Sequence, residues 1–258
     1  VNLRHLRTCT LPFPPPISLA SKIMLLLTTL FAVAAAGPIS MSEPRLVKEE
    51  LGLCSPCIQL SEQGINILLN QILNVGVVGG CSKLCSAIPS KAGATVCDLA
   101  CIAVGIKEFV SIIEKADLDP FYFCEQVKFC PAGKDDAAGQ IMAITSDPAS
   151  GPASTKFAIN MQFQVANETG VGEIHAAIKG PAGFQSISQG FPNTGFKPGA
   201  YQVTLNLDST PNPSADPPVE FPTGSYDIKF DVCQGECYSK HPHSIVLDSQ
   251  HGNFTITN

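Results

Sequence analysis

Eleven cysteines and five histidines are the residues of this chain best suited to chemistry, and their spacing decides which chemistry is open to them. Cys54-Ser55-Pro56-Cys57 has the form of a redox dithiol or of half a zinc site. Both readings are weak, because no strand precedes the motif and no second Cys/His pair lies nearby. Cys233-Gln234-Gly235-Glu236-Cys237 would close a short loop, and His241-Pro242-His243 follows it. With Asp231 or Glu236 these histidines have the residue types of a metal site. Two histidines flanking a proline in a polar loop are, however, the composition of a solvated turn, so no metal and no cofactor is expected. No G-x-S-x-G elbow, H-E-x-x-H helix or phosphate-cradling glycine loop occurs. His175, His241, His243 and His251 all lie in the C-terminal half, and no local motif ties any of them to a nucleophile. The chain is expected to be a non-enzyme with no catalytic residues.

If the cysteines are not reactive they are structural, and the compartment decides this. Met24 to Val33 is an apolar run leading into Ala34-Ala35-Ala36-Gly37, the pattern of a secretory signal peptide. The run is shorter than the roughly 20 residues of a spanning helix. Residues 1–36 are therefore read as leader and signal peptide, with Met24 as the expected start. Without Cys9 the cysteines number ten, an even count in a chain bound for an oxidising compartment, secreted/extracellular or lysosomal. The net charge of −6 excludes nucleic acid as a partner, since phosphate contacts need clustered Lys and Arg.

The elements that would position the cysteines follow from periodicity. Between Ser61 and Val78, Ile65, Leu68, Leu69, Ile72 and Val75 trace a helical stripe. A short helix would carry Cys81 and Cys85, a turn spans Pro89–Gly93, and a longer helix runs from about Ala94 to Lys115. Asp117–Pro120 ends that helix, and a last one covers about Phe121 to Phe129. Cys81 and Cys85 share one helix face, as do Cys97 and Cys101. Antiparallel helices then nest the bridges as Cys85–Cys97 inside Cys81–Cys101, because crossed pairs would exceed the roughly 7 Å Cα limit. The same nesting gives Cys57–Cys124 and Cys54–Cys130, and Cys233–Cys237 staples its own loop.

C-x2-C at the start, a central hairpin bridge and C-x5-C at the end, approached by Pro120-Phe121-Tyr122-Phe123, resemble the saposin-like (saposin B-type) family. The family's six cysteines correspond to Cys54, Cys57, Cys85, Cys97, Cys124 and Cys130, and Cys81/Cys101 is an addition. The resemblance covers residues 47–131 and implies a clasp of helices that opens to lipid, solubilising it, perturbing membranes or forming pores. Ile65, Leu69, Ile72, Ile106, Val110 and Ile113 are the candidate lipid-facing or dimer-facing residues, with ordinary core packing the competing reading. From Glu50 to Cys130 the charge is −3, so the module lacks the basic face usual for membrane attack.

After the linker Pro131–Gly139 the period changes to two: Phe157, Ile159, Met161, Phe163 and Val165 alternate with polar or small residues. The pattern recurs at Ile174/Ile178, Tyr201/Leu207, Tyr226/Val232, Ile245/Leu247 and Phe254/Ile256. Six to eight such strands predict a sandwich over 140–258. The expected fold is thus two-domain: an all-α disulfide-stapled saposin-like helical bundle followed by an all-β antiparallel sandwich. Signal, cysteine-rich helices and β-rich tail together are similar to the countin-type proteins of social amoebae, secreted factors affecting group size. Asn167-Glu168-Thr169 and Asn253-Phe254-Thr255 are N-glycan acceptor sequons in the β half. The leading functional expectation is a non-catalytic lipid-interacting protein, with lipid or a membrane surface and a homodimer or larger assembly as its candidate partners. A countin-type signalling factor acting through protein assembly is the alternative, and a pore former ranks third.

Overall fold

The computed structural model describes residues 39–42, 52–76, 79–116, 118–215 and 218–258. The leader and signal-like stretch lie outside the described residues. Strand β1 (Ile39–Ser42) precedes five helices: α1 (Cys54–Val75), α2 (Gly80–Cys85), α3 (Lys91–Val104), α4 (Ile106–Ala116) and α5 (Pro120–Gln126). Ser90 caps α3 by accepting from Gly93 N–H, so that helix starts before the expected Ala94. The single long helix expected from Ala94 to Lys115 is two, because Gly105 turns to φ 85° between them and its N–H bonds Cys101 O. Asp119 caps α5 by accepting from Tyr122 N–H at 2.9 Å, and Pro120 occupies the first turn, where its missing N–H costs nothing.

Disulfides Cys54–Cys130 and Cys57–Cys124 tie α1 to α5 and the segment after it, while Cys81–Cys101 and Cys85–Cys97 join α2 to α3. The core between them holds Ile58, Ile65, Leu68, Phe109, Ile113 and Phe123. It is completed by Val171, a residue of the β half, which is fully buried there. Replacing Cys81 and Cys101 together by serine is expected to cost about 2 kcal/mol, since Cys85–Cys97 still holds the hairpin and only its outer turns are freed. Guanidinium denaturation of the double variant beside the parent measures this.

Eight further strands follow: β2 (Ala138–Asp147), β3 (Ser150–Pro152), β4 (Lys156–Asn167), β5 (Gly172–Lys179), β6 (Ile187–Asn193), β7 (Gly199–Asp208), β8 (Gly224–Gln234) and β9 (Ile245–Thr257). They form two sheets, ordered β1-β7-β4-β2 and β3-β9-β8-β5-β6. Phe157, Ile159, Met161 and Phe163 of β4 face Ile174, Ile178, Tyr226, Phe230 and Phe254 from the other sheet. Strict alternation along β4 produces this one-sided burial. The sandwich is not wholly antiparallel, because β3 pairs with β9 in parallel.

The α-then-β layout fits the sequence, but an opening bundle of saposin type is not what forms. The helices are a short disulfide-linked region, with α2 and α5 only 6 and 7 residues long. Their core is closed by Val171 and their last helix is bonded to β-half loops, so the helical part is not a free-standing clasp. Of the six candidate lipid-facing residues, two are buried and four half-buried. Ile65 and Ile113 are buried, and Leu69, Ile72, Ile106 and Val110 pack against the same core. Full burial of a side chain such as Ile65 or Ile113 is worth roughly 1.5–3 kcal/mol, which an opened clasp would forfeit.

Candidate functional site at the junction of the two halves

The densest polar chemistry lies where α5 meets the loop between β8 and β9. Cys233–Cys237 staples the base of that loop, with sulfurs 2.04 Å apart. From it Ser239 Oγ donates to Asp119 Oδ2 at 2.8 Å, so one carboxylate both caps α5 and holds the loop. His241 stacks on Tyr122, ring centres 4.1 Å apart and 9° from parallel, and its Nε2–H donates to Ala116 O at 3.0 Å. His243 pairs with Asp135 of the linker at 2.7 Å. These histidines fasten the halves together; no group of three or more metal-ligating side chains occurs among the described residues.

Behind this contact Gln234 is fully buried at the end of β8. Its carbonyl oxygen accepts from Gly170 N–H at 2.7 Å and Lys134 N–H at 3.2 Å. Its amide donates to Lys134 O at 3.0 Å and His243 O at 2.6 Å. One side chain thus joins the linker, the β4–β5 loop and the β8–β9 loop. The close fit needs glycine at 133 and 170, because a Cβ on Gly170 would fall 2.5 Å from Gly133 Cα.

The junction is also acidic. Glu125, 5% exposed, accepts from Gly133 N–H at 3.2 Å; burial pushes its carboxyl up to about 7 against the pull of that N–H. Burial, reinforced by Asp119 and Glu173, likewise pushes Glu236 up to about 7. Glu173 accepts from Cys237 N–H and is raised chiefly by burial, and Glu62 on α1 is raised by burial and by Glu173. Helix and sheet therefore bring together carboxylates that are distant in sequence, without a Lys or Arg salt bridge to Glu125, Glu173 or Glu236 among the ion pairs of the described residues. The sequence showed the individual residues but not their meeting, since they come from α1, α5, β5 and the β8–β9 loop.

Elsewhere, a groove of ≈ 380 Å³ runs between α1 and α3, lined by Pro56, Gln59, Leu60, Ile88, Ala92 and Val96 among others, none of them charged. On α3, Leu99 and Ile102 are 48% and 65% exposed. Asn167 and Asn253, the two sequon asparagines, are both exposed, the first donating to Asp136 O at 2.8 Å. No helix among the described residues is long and apolar enough to cross a membrane.

Residues 51–128 match the family model for the Countin N-terminal domain, and residues 139–258 match that for the Countin C-terminal domain. Countin-3 of Dictyostelium discoideum is 34% identical over 203 residues, 79% of this chain and 89% of that protein. Countin-1 of the same organism is 32% identical over 238 residues, 92% of this chain and 86% of that protein. Countin-2 is 31% identical over 218 residues, 82% of each. A Paenibacillus cycloisomaltooligosaccharide glucanotransferase structure aligns with 47% of this chain and 14% of that one, at 12% identity and TM-score 0.33, too remote to carry an argument. These relationships overturn lipid handling as the leading functional reading: the helical half is matched as a Countin N-terminal domain, and two of its six candidate lipid-facing residues, Ile65 and Ile113, are buried. By sequence along both halves, in the same order, the chain belongs to the countin family.

Proposed function

We propose that this protein is an extracellular signalling factor of the countin type, acting in cell counting through assembly with other proteins. The observation that carries the reading is the match to both countin domains, reinforced by identity of 30% or more to several countins along most of their length. Five disulfides fit an oxidising destination outside the cell. The uncharged groove and the exposed Leu99 and Ile102 are consistent with a surface completed by a partner. Native mass spectrometry of protein taken from conditioned medium, paired with add-back of purified protein to aggregating cells, tests both parts. A multi-protein species and altered group size are expected. A lone chain in the medium with no effect on group size would overturn the reading.

Secretion also brings the sequons into play. Glycans are expected on Asn253 and Asn167, so peptide N-glycosidase treatment should lower the mass in two steps, one of which the Asn253→Gln variant lacks. Both sites sit on the β half, whereas the groove lies between α1 and α3.

A further inference from the structure

Outside the junction, three strands of the second sheet bring together side chains that no local motif links. Ser188 on β6 lies 2.8 Å from His175 Nε2 on β5, and His175 Nδ1 lies 3.4 Å from Asp231 Oδ2 on β8. The register explains the meeting. Ala177 pairs with Ser188 and His175 with Gly190, so His175 and Ser188 are diagonal neighbours on one face, and the position directly opposite the imidazole has no side chain. His175 pairs with Asp231 across the other side of β5.

The carboxylate is the built part of the cluster. Asp231 is fully buried, yet it is held as an anion: burial acts against the charge, but hydrogen bonds from Ser249, Lys229 and Tyr238 outweigh it and keep the carboxyl below its usual range. Tyr238 donates to Oδ1 at 2.8 Å, and Lys229 Nζ stands 2.9 Å from the same oxygen. A carboxylate can only accept, so the imidazole must present Nδ1–H to it, which leaves Nε2 as acceptor for the Ser188 hydroxyl. The imidazole is 24% exposed, and Ser188 is exposed on an edge strand with β5 alone beside it, so an incoming molecule can reach the hydroxyl.

We propose that Ser188 is an activated nucleophile that accepts an acyl group from small esters with good leaving groups, with His175 as its general base and Asp231 as the positioning residue. The Ser188 Oγ–carbon bond forms as Nε2 takes the hydroxyl proton. The ester C–O bond then breaks, and the departing alcohol or phenol takes that proton from the imidazolium, leaving an acyl-serine. A second cycle with water in place of Ser188 releases the carboxylic acid and restores the serine. The chemistry does not rest on the assembly reading, since it makes no use of the groove, although Tyr238, which holds Asp231, belongs to the stapled β8–β9 loop.

The test uses the intact, disulfide-bonded protein and p-nitrophenyl acetate, with peptide mass mapping of the acetyl group and optical detection of p-nitrophenol. Acetylation of Ser188 is expected, about 10²-fold faster than in His175→Ala, the lower end of general-base contributions. Added imidazole should restore part of the lost rate in that variant, which a merely structural histidine would not allow. A downfield imidazole N–H proton resonance is expected in the parent and in Ser188→Ala, and is lost in Asp231→Asn. His175→Gln serves if the alanine variant is misfolded, as judged by near-UV circular dichroism. No acetyl group on Ser188, or acetylation at the same rate without His175, overturns the proposal.

Discussion

Replacing Gln234 by leucine is expected to remove about 4 kcal/mol or more of stability, among the largest effects of any single substitution outside the cysteines. The leucine fills similar volume but offers no hydrogen bonds. Gly170 N–H, Lys134 N–H, Lys134 O and His243 O would all lose their partner at once. A buried polar group stripped of its partner costs about 1–3 kcal/mol, and partial access of water to Lys134 and His243 keeps the sum below the maximum. Gln234→Glu separates shape from hydrogen bonding: it keeps the acceptors but loses the two donated bonds and buries a charge, so it should be no milder. Guanidinium titration followed by circular dichroism, with all disulfides intact, reads the loss. A change under 1 kcal/mol in the leucine variant would show that the loops are held by other contacts.

The second large effect is on pH. Glu125 and Glu236 are both pushed up to about 7 in the folded protein, chiefly by burial. Unfolded, they return to ordinary carboxylate behaviour, so between about pH 4.5 and 7 the folded state binds more protons than the unfolded one. Stability from these groups is therefore complete below about pH 4.5 and falls as pH rises through 7. Glu125 alone contributes on the order of 2 kcal/mol, and the half-buried Glu236 less because water screens it. Opposing this at low pH, Asp231 is held below its usual range despite its burial, by its hydrogen bonds, so protonating it below about pH 4 costs stability. The melting temperature should peak near pH 5 and fall by about 5–10 °C by pH 8, using roughly 2–4 °C per kcal/mol for a chain of this size. The double variant Glu125→Gln, Glu236→Gln should flatten that slope. A melting temperature that instead rises from pH 5 to 8 would show these carboxyls to be ionised in the fold.

Both effects come from the junction, and the junction is the part least legible in the sequence. Periods are local, so the stripe through Ile65 and Leu68 and the alternation from Phe157 to Val165 translate directly into α1 and β4. Breaks are less legible: Gly105 reads as one glycine in an apolar helix until its positive φ divides α3 from α4. The N-terminal part of β2 looked like linker because Ala138 and Gly139 carry no strand preference, and pairing with β4 decides it. Long-range polar contacts leave no local trace. Gln234 lies 100 residues from Lys134, and Tyr122 has no periodicity that points to His241. The α1 stripe shows the limit most plainly, since core and exposed face share one period, and the core that buries Ile65 includes Val171 from the β half.

That late arrival bears on how the chain is made. Residues 54–130, with all their cysteines, leave the ribosome before Val171 does, so for the time taken to add some forty residues the helical half lacks the last side chain of its core. Oxidation in that interval acts on an unfinished interior in which thiols and disulfides can still exchange. Cys54 and Cys130 span a separation of 76 residues, and their bond lies in the core cluster that Val171 joins. The second half of the chain thus supplies a side chain to the core that surrounds the covalent bonds of the first.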